Sequence, residues 1–383
     1  MSLKEQIVAL YERDRRDHPK ALTVSDIPID YEAITTKWLT AILCEDVPGA
    51  AVESFTLGAP DDGTANRRRI HLTYSAAGRQ AGLPASVFCK ASHDLQHRLT
   101  LGITGGAHSE VKFYHNVRPA LAIDIPQAHH AAYDPQSFCS IIVLEDIGDR
   151  VTFCGHNEPI DLDRARGQIA LLAGLHSRFH GRADLTARLE LNTWPDFFAN
   201  AVSLGQEHST NQGFQAAEQQ IPARLFARYD DIWPATVASV ECHKSLPGTV
   251  LHGDCHLKQW YVAHDGRMGL TDWQCASIGN WSRDLSYALA SSLTIEHRRL
   301  WERDLLAEYL ELIAEQGVAV PAFEDAFELY RMNMMSALNW WTGTLTPAPD
   351  MPEMQPTESS LVFIERLAHA ADDLDAVDAC LRY

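Results

Sequence analysis

Apolar residues in this chain change their spacing partway along it, and that change limits the folds open to it. Three early runs alternate apolar and polar residues, the period of a strand with one buried face. They are residues 51–58 (AVESFTLG), 69–75 (RIHLTYS) and 85–91 (ASVFCKA). A turn-rich loop, Gly58-Ala-Pro-Asp-Asp-Gly63, joins the first two, so they read as neighbours in an antiparallel sheet. Ahead of them residues 1–45 read as helical, with Ile7, Leu10 and Tyr11 on one face and Ala33, Trp38, Leu39 and Leu43 on another. A helix is expected over 108–116, and a continuous apolar strand, SIIVLE, over 140–145.

After Asp146 the period becomes helical. Asp161 reads as the N-cap of a helix running to Phe179, on which Ile169, Leu172, Leu175, His176 and Phe179 share a side. Further helices are expected over 284–317, 322–342 and 358–381, and the polar stretch 203–220 reads as loop with helix ends. Within this helical half, 251–270 reads as strand–turn–strand, its turn marked by Asp265-Gly266. The proline-rich stretch 346–358 reads as a connector rather than a lid. Strands first and helices second give an α+β chain in two parts. The division expected is 1–145, a helical extension and a sheet with one helix, and 146–383, mainly helical with a short hairpin. A crevice between two such parts is where a ligand is expected.

Charge narrows the partners. Asp and Glu number 51 against 32 Lys and Arg, a net charge of −19, whereas a nucleic-acid binder is usually basic. The first residues, MSLKEQIVALYERDRR, lack the apolar core of a signal peptide. No apolar run approaches the roughly 18 residues of a membrane span. The eight cysteines form no CxxC pair, so neither a zinc site nor a disulfide framework is signalled, and reduced thiols in a cytoplasmic protein are expected.

The residues that carry chemistry lie in Leu251-His-Gly-Asp-Cys-His-Leu-Lys-Gln-Trp260 and Leu270-Thr-Asp-Trp-Gln274. Phosphoryl transfer needs one carboxylate to orient the attacking hydroxyl and take its proton, and oxygen donors to hold Mg²⁺ on the phosphates. A loop of form H-x-D-x-x-x-x-N followed by a second Asp supplies both. Here Asp254 sits in His-Gly-Asp, Gln259 follows after four residues, and Asp272 lies 18 positions on, a gap that a short hairpin would fold back on itself.

These two segments together resemble the aminoglycoside phosphotransferase and choline kinase-like superfamily, with its protein-kinase-like fold, near the ecdysteroid-kinase-like and bacterial phosphotransferases. Leu172-Ala-Gly-Leu-His-Ser-Arg-Phe-His-Gly181 is similar to the helix before the family's catalytic loop, and Arg283-Asp-Leu-Ser-Tyr-Ala-Leu289 to the helix after its metal Asp. Val87-Phe-Cys-Lys90 resembles the strand with the ATP lysine, and Glu110-Val-Lys-Phe-Tyr114 the helix with its glutamate partner. The resemblance implies a two-lobed enzyme moving the γ-phosphoryl of ATP, with Mg²⁺, onto a small-molecule alcohol. Asp254 would be the catalytic base and Asp272 the metal ligand. Lys90, paired with Glu110, would contact the α- and β-phosphates. Leu144, Glu145 and Asp146 would form the hinge whose backbone holds adenine. His252 and Asp284 would support the loop. A homodimer is left open.

Two departures stand out. Gln259 replaces the family's metal-binding Asn, carrying its amide oxygen about 1.5 Å further out, where Mg²⁺ demands nearly ideal octahedral geometry. The phosphate loop, residues 58–63, has few glycines and holds Pro60, which has no N–H. These departures motivate the alternative, a nucleotide-binding pseudokinase with a regulatory or scaffold role. His176, His180 and His256 read as satisfied or solvated histidines rather than metal ligands. Trp194, Trp281, Tyr287 and Asn339-Trp-Trp-Thr342 are candidates for an acceptor pocket, or equally for the core.

Overall fold

A computed structural model describes residues 3–61, 63–348, 351 and 354–383. The chain forms two compact units, residues up to 118 with 126–149 and 351, and 119–125 with 150–348 and 354–383.

The first unit begins with helices α1 (Leu3–Asp17) and α2 (Thr36–Leu43), followed by strands β1 (Val52–Leu57) and β2 (Asn66–Tyr74). A short helix, α3 (Ala76–Gln80), precedes β3 (Ser86–Ala91), helices α4 (Leu95–Thr104) and α5 (Gly106–Lys112), and strands β4 (Ala128–Tyr133) and β5 (Ser140–Glu145). The sheet order is β1-β2-β3-β5-β4, and every pair is antiparallel. Alternation sorts its two faces. Ile70, Leu72, Tyr74, Val87, Cys89, Ala91, Ile141 and Val143 point into a core closed by Trp38, Leu39 and Ile42 of α2. The residues between them face the other way, among them Arg67 and Arg69 of β2 and Lys90 of β3.

The second unit runs β6 (Val151–Phe153), α6 (Leu162–Phe179), α7 (Leu185–Leu189), α8 (Trp194–Ser203), α9 (Gln206–Ala216), α10 (Ala223–Phe226) and α11 (Tyr229–Glu241). Strands β7 (Thr249–Leu251), β8 (Trp260–Ala263), β9 (Met268–Leu270) and β10 (Ser277–Gly279) come next. Helices α12 (Ser282–Ser292), α13 (Ile295–Glu315), α14 (Phe323–Met332), α15 (Met334–Leu345), α16 (Thr357–Asp373) and α17 (Ala376–Arg382) complete it. As expected, Asp161 caps α6, accepting from the Arg164 N–H. The β8–β9 hairpin turns at Gly266, whose φ of +85° lies in the left-handed region. No described helix is long and apolar enough to cross a membrane.

Several expectations need correction. The stretch 203–220 is not loop but contains α9, which packs on α15 through small residues. Thr210 Oγ1 donates to Asn339 Oδ1 at 2.6 Å, and a Cβ on Gly213 would sit 1.9 Å from the Thr342 carbonyl oxygen. A face of Ser, Thr and Gly carries no hydrophobic period, so it was invisible to that test. The three long helices are each two: 284–317 breaks at Leu293-Thr294, 322–342 at Asn333, and 358–381 after Asp373. Helices α4 and strand β4 were not anticipated, and residues 18–35 are mostly irregular. Asp62 of the phosphate loop and part of the 346–358 connector lie outside the described residues.

Candidate active site

In the second unit, β7 runs straight into His252-Gly253-Asp254, and three interactions fix the turn. Gly253 has φ +80°, and a Cβ there would lie 2.4 Å from the Cys275 carbonyl oxygen, so only glycine fits. Asp284, fully buried on α12, accepts the His252 N–H at 2.6 Å and the Gly253 N–H at 2.8 Å. The Arg283 guanidinium donates to the Gly253 carbonyl at 3.1 Å. It also lies 4.3 Å from the Trp194 ring centre and 4.8 Å from that of Tyr287, a buried cation held by aromatic faces.

The His252 ring ties the loop to the next segment. Its Nε2–H donates to the Thr271 carbonyl at 2.8 Å, and its Nδ1 accepts the Asp254 N–H at 3.2 Å. Thr271 in turn sends its N–H and its hydroxyl to the Gln259 carbonyl at 2.9 and 3.0 Å. These bonds anchor the residue before Asp272, which itself holds φ +67°, a left-handed conformation that Asp adopts more readily than most residues.

Two carboxylates on this scaffold behave in opposite ways. Burial works against the charge of Asp284, yet His176 Nε2 at 3.2 Å, His252 and the two loop N–H groups hold it below its ordinary value. Burial and then the neighbouring Asp272 charge push Asp254 up to about 7. The Tyr287 hydroxyl, donating to Asp254 Oδ1 at 2.9 Å, Arg283 and the Gln259 amide oppose that rise without cancelling it. Asp254 is thus a carboxyl poised to hold or release a proton near neutrality, the condition for general base catalysis. His256 Nε2 lies 3.7 Å from Asp254 Oδ2; burial first, then Lys258, lowers its pKa to about 3, so it is neutral.

In the first unit the Lys90 ammonium donates to Glu110 Oε1 at 2.7 Å, with both side chains buried. Asp146 pairs with Arg69, Nε to Oδ2 at 2.7 Å and Nη2 to Oδ1 at 3.0 Å, and accepts from Ser86 Oγ at 2.6 Å. Burial raises its pKa, but these bonds, with the Gly148 N–H, bring it below the ordinary value. Leu144 pairs with Phe88 and Ala128 in the two flanking ladders. The Glu145 N–H donates to the Gln127 carbonyl at 2.8 Å.

The site residues named from sequence therefore gather as two groups, Lys90 with Glu110 and the 144–146 segment in the first unit, and His252, Asp254, Gln259, Asp272 and Asp284 in the second. Tyr287, a candidate for an acceptor pocket or for the core, is buried and donates to the Asp254 carboxylate. Trp194, Trp281, Asn339, Trp341 and Thr342 are buried, and of that set only Trp340 is partly exposed. His176 is a satisfied core histidine, accepting from the Tyr309 hydroxyl at 2.7 Å. Arg283 was missed, since an Arg before an Asp reads as an ordinary surface ion pair.

Mg²⁺ prefers oxygen donors and usually takes one or two protein carboxylates, with phosphates and water completing its shell. Asp272, the Gln259 amide oxygen and the adjacent Asp254 are such donors, and two like charges close enough to raise Asp254 fit a divalent cation. Among the described residues no group of three or more His, Cys, Asp or Glu could hold a metal ion.

The sequence pattern that defines the Phosphotransferase enzyme family (APH) matches residues 104–322, more than half of the 383 residues. The chain belongs to that family. The matched span contains Glu110, Asp254, Gln259, Asp272 and Asp284, though not Lys90. Comparison with curated proteins gives no match. Solved structures similar to it include choline kinase LicA from Streptococcus pneumoniae, at 14% identity and TM-score 0.47, covering 87% of this chain and 94% of that one. Macrolide 2'-phosphotransferase MphH from Brachybacterium faecium shows 14% identity and TM-score 0.45, covering 80% and 91%. Plasmodium vivax ethanolamine kinase shows 8% identity and TM-score 0.45, covering 95% and 93%.

Proposed function

We propose that this phosphotransferase moves the γ-phosphoryl of ATP onto a hydroxyl of a small molecule. Asp254 accepts the hydroxyl proton as the oxygen attacks phosphorus, and the bond from phosphorus to the β-phosphate oxygen breaks to release ADP. Asp272 and the Gln259 amide oxygen would hold Mg²⁺, whose chemistry is to neutralise the phosphate oxygens. Lys90, kept in place by Glu110, binds the α- and β-phosphates, and Leu144, Glu145 and Asp146 flank the adenine site. The observation that carries this reading is the Asp254 carboxylate, poised near neutrality beside a second carboxylate on a loop that hydrogen bonds make rigid.

The test is a panel of alcohol-bearing metabolites incubated with the chain, Mg²⁺ and ATP or GTP, read by mass. A phosphomonoester and nucleoside diphosphate in equal amounts are expected. Nucleotide binding with no product from any alcohol would replace this reading with the regulatory pseudokinase. A product heavier by AMP would mean that the other end of the nucleotide is transferred.

A further inference from the structure

We propose that His256 holds the acceptor hydroxyl against Asp254, donating from Nε2 to the acceptor oxygen while the proton of that hydroxyl faces Asp254 Oδ2. The inference rests on the reading of Asp254 as the base of a phosphotransferase, and it starts from a histidine with an orphaned nitrogen. His256 is 2% exposed, and its Nδ1 is buried with no hydrogen-bond partner among the described residues. Its backbone is fixed, the N–H donating to the Asp254 carbonyl and the carbonyl accepting from the Gln259 N–H, both at 2.9 Å. Its ring is fixed too, 4.9 Å from the Trp341 ring centre, 5.5 Å from that of Phe363 and 6.2 Å from that of Tyr287. These contacts leave Nε2 facing Asp254 Oδ2 at 3.7 Å.

The surroundings of the two ring nitrogens decide which one carries the proton. An N–H at Nδ1 would be stranded without an acceptor, and would turn the Nε2 lone pair on a carboxylate oxygen. The proton therefore sits on Nε2. A direct bond from there to Oδ2 is too long, since an N–H···O bond spans about 2.7–3.2 Å. An oxygen about 2.7 Å from Oδ2 and about 2.9 Å from Nε2 makes both bonds, because those two sides close a triangle on the 3.7 Å gap. The carboxylate has room for it. Of its roughly four acceptor sites, the Tyr287 hydroxyl takes one on Oδ1 and the Gln259 amide another, and the Asp254 side chain is 12% exposed. The group that fits must give a proton to Oδ2 and offer a lone pair to Nε2–H. A hydroxyl does both, whereas an ammonium has no lone pair to offer. As the hydroxyl passes its proton to Oδ2 and its oxygen bonds phosphorus, releasing ADP, the Nε2–H stabilises the charge that grows on that oxygen.

Water fits any acceptor site, so the test reads phosphate release from MgATP by the full chain, with ATP affinity read by calorimetry. Where an alcohol of the metabolite panel is the faster acceptor, its phosphomonoester is read instead. A Gln side chain brings an amide N–H close to the place of Nε2, an Asn side chain close to that of Nδ1, and a Phe side chain keeps a ring without a donor. His256→Phe and His256→Asn are expected to lower kcat at least about tenfold, and His256→Gln to stay within about threefold of the parent, with ATP affinity unchanged in all three. A parental rate in His256→Phe, or equal rates in His256→Gln and His256→Asn, would overturn the proposal. A loss of rate matched by a loss of ATP affinity would make His256 a packing residue and overturn it as well. Asp254→Asn is the control for the parent reading. If that variant is slowed and His256→Phe is not, the His256 proposal alone falls. If the parent is no faster than Asp254→Asn with water or with any alcohol of the panel, the phosphotransferase reading falls and takes the proposal with it.

Discussion

The Lys90 face of the first unit and the His252–Asp254 loop of the second handle charge in opposite ways. On the sheet, Lys90 meets Glu110 and Arg69 meets Asp146, each cation matched by a buried carboxylate. In the loop, Asp254 is buried beside another carboxylate and rises to about 7. The same loop shows that burial alone is not the reason, because Asp284 is more deeply buried yet held below its ordinary value by His176 and loop N–H groups. Matched charges fix geometry. An unmatched carboxylate makes the region reactive and receptive to a cation, at a cost in stability.

The largest break in this contrast is expected from Asp254→Asn. Turnover should fall at least about 10³-fold with ATP affinity within about threefold of the parent, as stopped-flow kinetics and calorimetry would read. Retained turnover would remove Asp254 from the base role. Next in size, Lys90→Ala leaves Glu110 buried without its cation and should destabilise the chain by about 3–5 kcal/mol in denaturant melts. Lys90→Met with Glu110→Leu should recover much of that loss while nucleotide binding stays weak, which separates the pair's structural share from its functional one. The pH dependence is smaller. Asp254 works as the carboxylate, so the rate should fall about tenfold per pH unit below about 7, and Mg²⁺ should move that limb to lower pH by favouring the charged form. The smallest effect belongs to Tyr287→Phe. Losing one hydrogen bond to a carboxylate should lower kcat about tenfold with little change in nucleotide KM; a changed nucleotide KM with intact kcat would make Tyr287 a packing residue only.

Much of this was legible from side-chain order alone. Period-two runs located β1 and β3, and a continuous apolar run located β5, because each buries one or both faces on apolar partners. The His-Gly-Asp turn and the later Asp were visible because their residue types and spacing match what phosphoryl transfer needs. What stayed hidden was set by tertiary contact. Strand β4, Ala128–Tyr133, is mostly Ala and His, with little strand propensity of its own, and is held by pairing to β5. Helix α9 buries Ser209, Thr210 and Gly213 rather than leucines. The break at Leu293-Thr294 is local, Thr294 capping α13 through the His297 N–H, whereas at Asn333 the side chain bridges the distant His243 and Ser282. Tyr287 and Arg283 sit one helical turn apart on α12, and nothing in their spacing announces that both reach the catalytic loop.

The most direct test of the unmatched carboxylate is thermal unfolding of the ligand-free chain and of Asp254→Asn at pH 5 and pH 8. Between the ordinary 3.8 and about 7 the folded chain keeps a proton that the unfolded chain has released, so this group's contribution to stability falls as pH rises across that window. The whole gap corresponds to about 4 kcal/mol. Asp254→Asn should therefore melt several degrees above the parent at pH 8, with a smaller advantage at pH 5. A variant that melts below the parent at pH 8 would show that Asp254 is held by its surroundings, and would contradict the account.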